Sequence, residues 1–288
     1  MSTGLRIYLV FLFGVVAGWL WWRGEALMMG SPFMHLAGLL CVVGLYIFSH
    51  LLRMMRLFLL TLDERSKAAH LISAHALTAF PSSFLPFKLG EVLRLCAFLR
   101  IYEFKRKGLA IWLAERFGDV LVISVFIVGL YVFNVKVPPA MQVVFFVFLF
   151  VGAFGLLATF ALTNVFIYLN RHLVLTSLSS RGLLFLRASH SLQRLADSIR
   201  RSLEGRVSGF LLLSVLIWVL EILALSLFIN WSGIGGTDFA LLFSSGLLAS
   251  LPGGGTGAFG IYQSLALVVM TITFACGWIA VRLNKRKN

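Results

Sequence analysis

The sequence predicts an all-α polytopic membrane protein with about six spanning helices plus two broken or re-entrant segments. Three observations lead there. Of the 288 residues 60% are hydrophobic and 12% charged, and a mean hydropathy of +0.95 leaves too little polar surface to cover a soluble globule. Six runs approach the roughly 20 apolar residues that cross a hydrocarbon core of about 30 Å. The basic residues gather between those runs, as the positive-inside rule expects of membrane helices.

The first run, Leu5 to Trp22, follows a single basic residue, Arg6, and ends in Trp19, Trp21, Trp22 and Arg23 instead of a small-residue cleavage site. It is expected to be a retained helix with an interfacial aromatic belt, not a removed signal. Phe33 to Leu52 forms the second span. Ala68 to Ile101 is apolar but broken, because Pro81, Pro86 and Gly90 interrupt it beside Lys88, Glu91 and Arg94. Irregular backbone is tolerated at membrane depth only where protein or a water-filled cavity satisfies it, so this break marks a candidate site.

Phe117 to Val135 and Met141 to Leu162 are the next two spans. The loop Arg171 to Arg206 then spaces Leu183, Leu184, Leu186, Ser189, Leu192, Leu195 and Ile199 by helical intervals, with Arg187, Arg194, Arg200 and Arg201 among them. A basic amphipathic helix follows from that spacing, either lying on the inner leaflet or serving as a solvated connector. Val207 to Ile229 is the fifth span and carries Glu221 at its middle, where a carboxylate is costly. Two readings stay open for Glu221: a protonated group bridging helices, or a partner for an inserted arginine or a substrate amine. Thr237 to Gly260 is the second broken segment, with Pro252, Gly253, Gly257 and Gly260 as its breaks, and Ile261 to Val281 is the sixth span.

Placing the basic clusters in the cytoplasm accounts for 23 of the 25 Lys and Arg residues, leaving only Arg23 and Lys136 outside. Arg53 and Arg56 are counted here as part of the loop after the second span. Both termini become cytoplasmic in the cell membrane. Basic sequence on both sides of Ala68 to Ile101 makes it a hairpin entering from the cytoplasm. The chain then forms one transmembrane domain, residues 1–288, whose halves 1–137 and 138–288 repeat span, span, broken segment, span in inverted orientation, a plan common in transporters. Eight full spans are the alternative.

Several function classes drop out. The net charge of +14 is a topology signal, since the basic loops are short and tied to spans, and nucleic acid is not an expected partner. Cys41, Cys96 and Cys276 are scattered in apolar sequence and suggest neither a disulfide framework nor a metal site. His50, His70 and His75 fit no compact ligand spacing and are taken as interfacial polar residues. No phosphate-binding or dinucleotide loop precedes a soluble helix, and no cofactor is expected.

Pro86-Phe-Lys-Leu-Gly-Glu-Val-Leu-Arg94, followed by Ala114-Glu-Arg-Phe-Gly-Asp119, resembles the paired signatures of the lysylphosphatidylglycerol synthase transmembrane family of flippase-like proteins. Leu251-Pro252 with Gly257-Ala-Phe-Gly-Ile-Tyr262 is similar to that family's C-terminal motif, and Trp218-Val-Leu-Glu221 to its preceding helix. Where that motif usually carries a Pro and a closing Glu, this chain has Thr256 and Gln263.

The resemblance implies a site for a lipid headgroup, anionic or amine-bearing, built from Lys88, Gly90, Glu91, Arg94, Glu115, Arg116, Asp119, Glu221 and Gln263. Free backbone N–H groups near a helix start, together with Lys88, Arg94 and Arg116, suit a phosphate. The carboxylates would hold those cations or bind an amine. In the simpler reading Glu91 and Arg94 pair with each other, three apart on a helix, and Glu115 and Arg116 mark the interface. The function implied is binding and translocation of a phospholipid or polyprenyl-linked lipid, made by a separate lipid-synthesising enzyme. A membrane enzyme or accessory subunit of glycolipid or envelope assembly is the alternative, with Glu91, Glu115 or Asp119 as acid, base or metal ligand.

Overall fold

A computed structural model describes residues 3–28, 36–84, 89–134, 139–176, 180–232 and 258–284. Among the described residues there is no strand. The α-helices are α1 (Thr3–Met28), α2 (Leu36–Leu60), α3 (Arg65–Phe84), α4 (Leu89–Ile101), α5 (Lys105–Val132), α6 (Pro139–Thr176), α7 (Ser180–Leu203), α8 (Val207–Ser232) and α9 (Ala258–Asn284). A 3₁₀ turn, Leu62–Glu64, joins α2 to α3. Thr3–Glu25, Ala37–Leu60, Val207–Asn230 and Gly260–Ala280 are each long and apolar enough to cross a membrane. The other two expected spans lie in α5 and α6, and the expected basic amphipathic helix is α7, packed against both.

The second span differs from expectation. It runs past Leu52 to Leu60, so Arg53 and Arg56 are helical residues within it and not loop markers. Both guanidiniums are paired with carboxylates from other helices, which lets the helix carry them into apolar surroundings.

The first broken segment resolves into α3 and α4. Residues 85–88, with Pro86 and Lys88, lie outside the described residues, as do residues 233–257, with Pro252, Gly253 and Gly257. Pro81 is not a break: α3 continues through it to Phe84. A proline at this position has no N–H to donate to the carbonyl of Leu77 four residues earlier. The Tyr8 hydroxyl of α1 donates to that carbonyl instead, at 2.8 Å. One residue on, the Ser82 hydroxyl donates to the Thr78 carbonyl at 2.7 Å. Side chains thus satisfy backbone groups near the proline, as a helix in lipid requires. Gly260 is likewise helical, in the first turn of α9, where the first N–H groups have no intrahelical partner in any case.

Gly90 shows how closely α3 and α4 meet. A Cβ there would stand 2.2 Å from the Cα of Ser82 and 2.5 Å from the carbonyl oxygen of Pro81. Only a glycine admits backbone at that distance.

The chain divides into two compact units, one of Met1–Met54, His70–Arg94 and Leu216–Asn288, the other of Met55–Ala69 and Leu95–Val215. In the first, Trp19 of α1 meets Phe80 of α3 edge-on at 5.9 Å in a core with Val16, Ala76, Leu267 and Val268. Phe228 of α8 and Tyr262 of α9 pack at 5.1 Å beside Val42 and Tyr46 of α2. In the second, small residues set the packing. A Cβ on Gly118 would lie 2.5 Å from the Phe210 ring, and one on Gly152 would lie 2.5 Å from the Ser124 hydroxyl, the close-approach logic of membrane helix pairs.

Two outcomes test this packing. Tyr8→Phe is expected to cost about 1–3 kcal/mol by orphaning the Leu77 carbonyl, and the loss should largely vanish in a Pro81→Ala background, where residue 81 regains its N–H. Gly90→Ala should destabilise by about 1–3 kcal/mol through overpacking, whereas Gly44→Ala, with open space around it, should not. Thermal unfolding in detergent measures both.

Candidate functional site

In the second unit the polar centre is built around α5. Glu115 and Asp119, four residues apart, project from one helical face, and Arg56 of α2 reaches both. Its Nη1 donates to Asp119 Oδ1 at 2.7 Å and to the Ser214 hydroxyl of α8 at 2.9 Å, and its Nη2 donates to Glu115 Oε1 at 3.1 Å. The Arg56 and Glu115 side chains are fully buried. The guanidinium also lies over the Phe210 ring, 5.7 Å from its centroid, and Gly118 makes room for that ring. Arg116 stands apart from this sealed centre. Its Nη1 is 3.7 Å from Asp119 Oδ2 and its side chain is 32% exposed.

The first unit holds the other expected residues. Arg94 is buried on α4, with Nη1 3.8 Å from Glu91 Oε1, so the i,i+3 pairing of the simpler reading is formed. Glu221 on α8 accepts from Arg53 Nη2 at 2.6 Å and from the Ser49 hydroxyl at 3.2 Å. Of its two readings, the arginine partner is the one formed, and that arginine comes from α2. Gln263 is half-buried on α9, next to Tyr262. His75 is buried on α3, and the ring of half-buried His50 on α2 lies 5.8 Å from its ring.

The expected residues therefore fall into two sets. Gly90, Glu91, Arg94, Glu221 and Gln263 belong to the first unit, and Glu115, Arg116 and Asp119 to the second. Lys88 lies outside the described residues. Sequence reading missed Arg53 and Arg56, although a signal was present. Tyr46, Ser49, Arg53 and Arg56 recur at helical intervals, and the apolar run resumes at Leu57 through Leu60.

A third polar cluster, in the second unit, ties loop to loop outside the spans. Arg206 pairs with Asp63, and Lys107 and Lys67 pair with Glu64. The hydrogen bond from Arg206 holds the Asp63 carboxyl below its ordinary pKa, and the one from Lys107 does the same for Glu64. The Lys67 and Lys107 ammonium groups also flank the Tyr102 ring, at 5.2 and 5.9 Å.

Residues 5–281 match the family model described as lysylphosphatidylglycerol synthase TM region. No curated protein and no solved structure matches the chain.

Arg56 should behave as a structural charge. Removing one partner of a buried ion pair costs about 3–5 kcal/mol because the other charge is stranded. Arg56→Met is expected to lose that much in detergent unfolding, and adding Glu115→Gln and Asp119→Asn should recover most of it. Equal losses in the single and triple variants would contradict the pairing.

Proposed function

The chain belongs to the lysylphosphatidylglycerol synthase TM region family, integral membrane proteins of lipid biosynthesis or translocation, and on that premise we propose that it binds an anionic lipid headgroup and carries it across the bilayer. The observation that carries this reading is Arg94, a guanidinium buried on the second leg of the α3–α4 pair, 3.8 Å from its carboxylate partner. An ionisable side chain inside a membrane-spanning bundle is expensive and marks a substrate path by default. A guanidinium is matched to phosphate oxygens by charge-assisted, bidentate hydrogen bonds.

Lys88, which lies outside the described residues, and Arg116, in the second unit, are further candidate cations of the same sequence signatures. Arg116 is one-third exposed beside Asp119, and Arg56 holds the same carboxylate from the buried side. Arg56 itself is enclosed by two carboxylates and a hydroxyl and is better suited to holding α2, α5 and α8 together. The two halves 1–137 and 138–288 would supply inverted access from the two faces, with both termini in the cytoplasm. The lipid comes from a separate synthesising enzyme.

In vesicles of phosphatidylglycerol and phosphatidylcholine carrying a fluorescent phosphatidylglycerol, Arg94→Ala should reduce protein-dependent lipid movement at least about tenfold, the scale of one lost charge-assisted contact, with no covalent change to the lipid. A modified lipid product formed by the purified protein would favour an enzyme instead. With Cys41, Cys96 and Cys276 replaced, single cysteines at Ser83 and Thr256 should react with an impermeant reagent from opposite faces. Reaction of both from one face only would refute inverted access.

A further inference from the structure

α7, 24 residues long, carries its leucines and its arginines on different sides. Leu184, Ala188, Leu192, Leu195 and Ile199 recur at intervals of four, four, three and four, which on a helix is a single stripe. Arg187, Arg194 and Arg201, seven residues apart, form a second stripe on the polar side.

Packing does not use up the apolar stripe. α7 rests against α5 and α6, yet Leu184 and Leu192 stay 66% and 51% exposed, and Phe185, beside Leu184, 62%. Toward the end that joins α8 the stripe is partly covered, with Leu195 and Ile199 half-buried. Arg187, Arg194 and Arg201 are all exposed.

The end of α7 is held at the edge of the spans. Glu204, Gly205 and Arg206 alone separate it from α8, and the chain turns there at Gly205, whose φ of +71° suits a glycine. Arg206 pairs with Asp63 and reaches the carbonyl of Leu59. The start of the span Val207–Asn230 is thereby tied to the end of the span Ala37–Leu60. The last turn of α7 lies level with those two span ends, where hydrocarbon gives way to headgroups.

We propose that α7 is a membrane-docking helix: its apolar stripe enters the leaflet on its own side of the bilayer, the cytoplasmic one under the positive-inside rule, and Arg187, Arg194 and Arg201 take the phosphates of anionic lipids there. This goes beyond the translocation reading and does not depend on it.

Charge decides the occupant. α7 has five arginines and one acid, Asp197, so the surface that covers it has to bring negative charge and apolar depth together. A second copy of this chain docked on the same stripe about a two-fold axis would set arginines against arginines. With 11 acidic residues to 25 basic ones, another face of the chain is a poor counterpart too. An anionic leaflet meets both needs. Arginine stems lie along apolar surface while the guanidiniums stay at headgroup depth, where they grip phosphate bidentately.

The full-length protein, with Cys41, Cys96 and Cys276 replaced, is spin-labelled through Leu192→Cys on the apolar stripe or through His190→Cys on the opposite, polar side. It is placed in nanodiscs of phosphatidylcholine alone or of phosphatidylcholine with phosphatidylglycerol. Power saturation compares collision with oxygen, which dissolves in lipid, and with a water-soluble nickel chelate. In discs with phosphatidylglycerol the label at position 192 should favour oxygen and the label at position 190 nickel. The oxygen-to-nickel ratio at position 192 should fall at least about threefold in phosphatidylcholine alone, and likewise on combining Arg187→Gln, Arg194→Gln and Arg201→Gln, since each arginine near an anionic surface contributes a factor of about five in binding.

Any other pattern in discs with phosphatidylglycerol overturns the docking: nickel preference at both positions marks a solvated connector, shielding from both reagents a face covered by protein, and oxygen preference at both a helix sunk wholly in hydrocarbon. A ratio at position 192 that ignores the lipid, or follows the lipid but not the arginines, would overturn the assignment of Arg187, Arg194 and Arg201 to anionic headgroups. The lipid comparison needs no arginine variant to fold.

Discussion

The two arginines of α2, Arg53 and Arg56, are each answered by carboxylates from other helices, and the enclosure of Arg56 by Glu115, Asp119 and Ser214 is the fuller case. In hydrocarbon or tight packing an unanswered guanidinium or carboxylate costs several kcal/mol. The helices that contribute to that centre are consequently fixed in register. α5 must present residues 115 and 119 on one face, Gly118 must stay bare for Phe210, and α8 must bring Ser214 to the same point. Much of the second unit's arrangement follows from satisfying one guanidinium.

The same constraint acts on the backbone. Pro81 deprives the Leu77 carbonyl of its usual donor, and the answer comes from a tyrosine on α1, 69 residues away in sequence. Local serines and threonines act alongside it: Thr78 and Ser82 each donate to a carbonyl four residues back. A proline that looks like a helix terminator in sequence is thereby kept inside a 20-residue helix.

The ion pairs differ in how closed they are. The Arg56 centre is sealed, the Arg53–Glu221 pair is slightly open, and the Arg94–Glu91 and Arg116–Asp119 contacts are long. A sealed, doubly paired arginine such as Arg56 is well suited to holding helices together.

Composition and the length of apolar runs were sufficient to establish from sequence an all-helical membrane chain, because the hydrophobic thickness of a bilayer imposes a length that can be counted. The α3–α4 pair was legible for a similar reason, since Pro86 and Gly90 interrupt an otherwise continuous run, and the amphipathic spacing of α7 was legible from helical periodicity. The i,i+3 partnership of Glu91 and Arg94 was also within reach, being local. The partners of Arg53, Arg56, Glu221 and Pro81 were not, because each comes from a distant helix and no local rule ties residue 56 to residue 119 or residue 8 to residue 77. Charge counting went wrong at Arg53 and Arg56 for that reason: an arginine at the end of an apolar run looks like a loop residue until a carboxylate from elsewhere neutralises it. Only packing in three dimensions could seal Arg56 among Glu115, Asp119 and Ser214 and bring Glu221 to Arg53, since burial and partners from distant helices cannot be read from residue type.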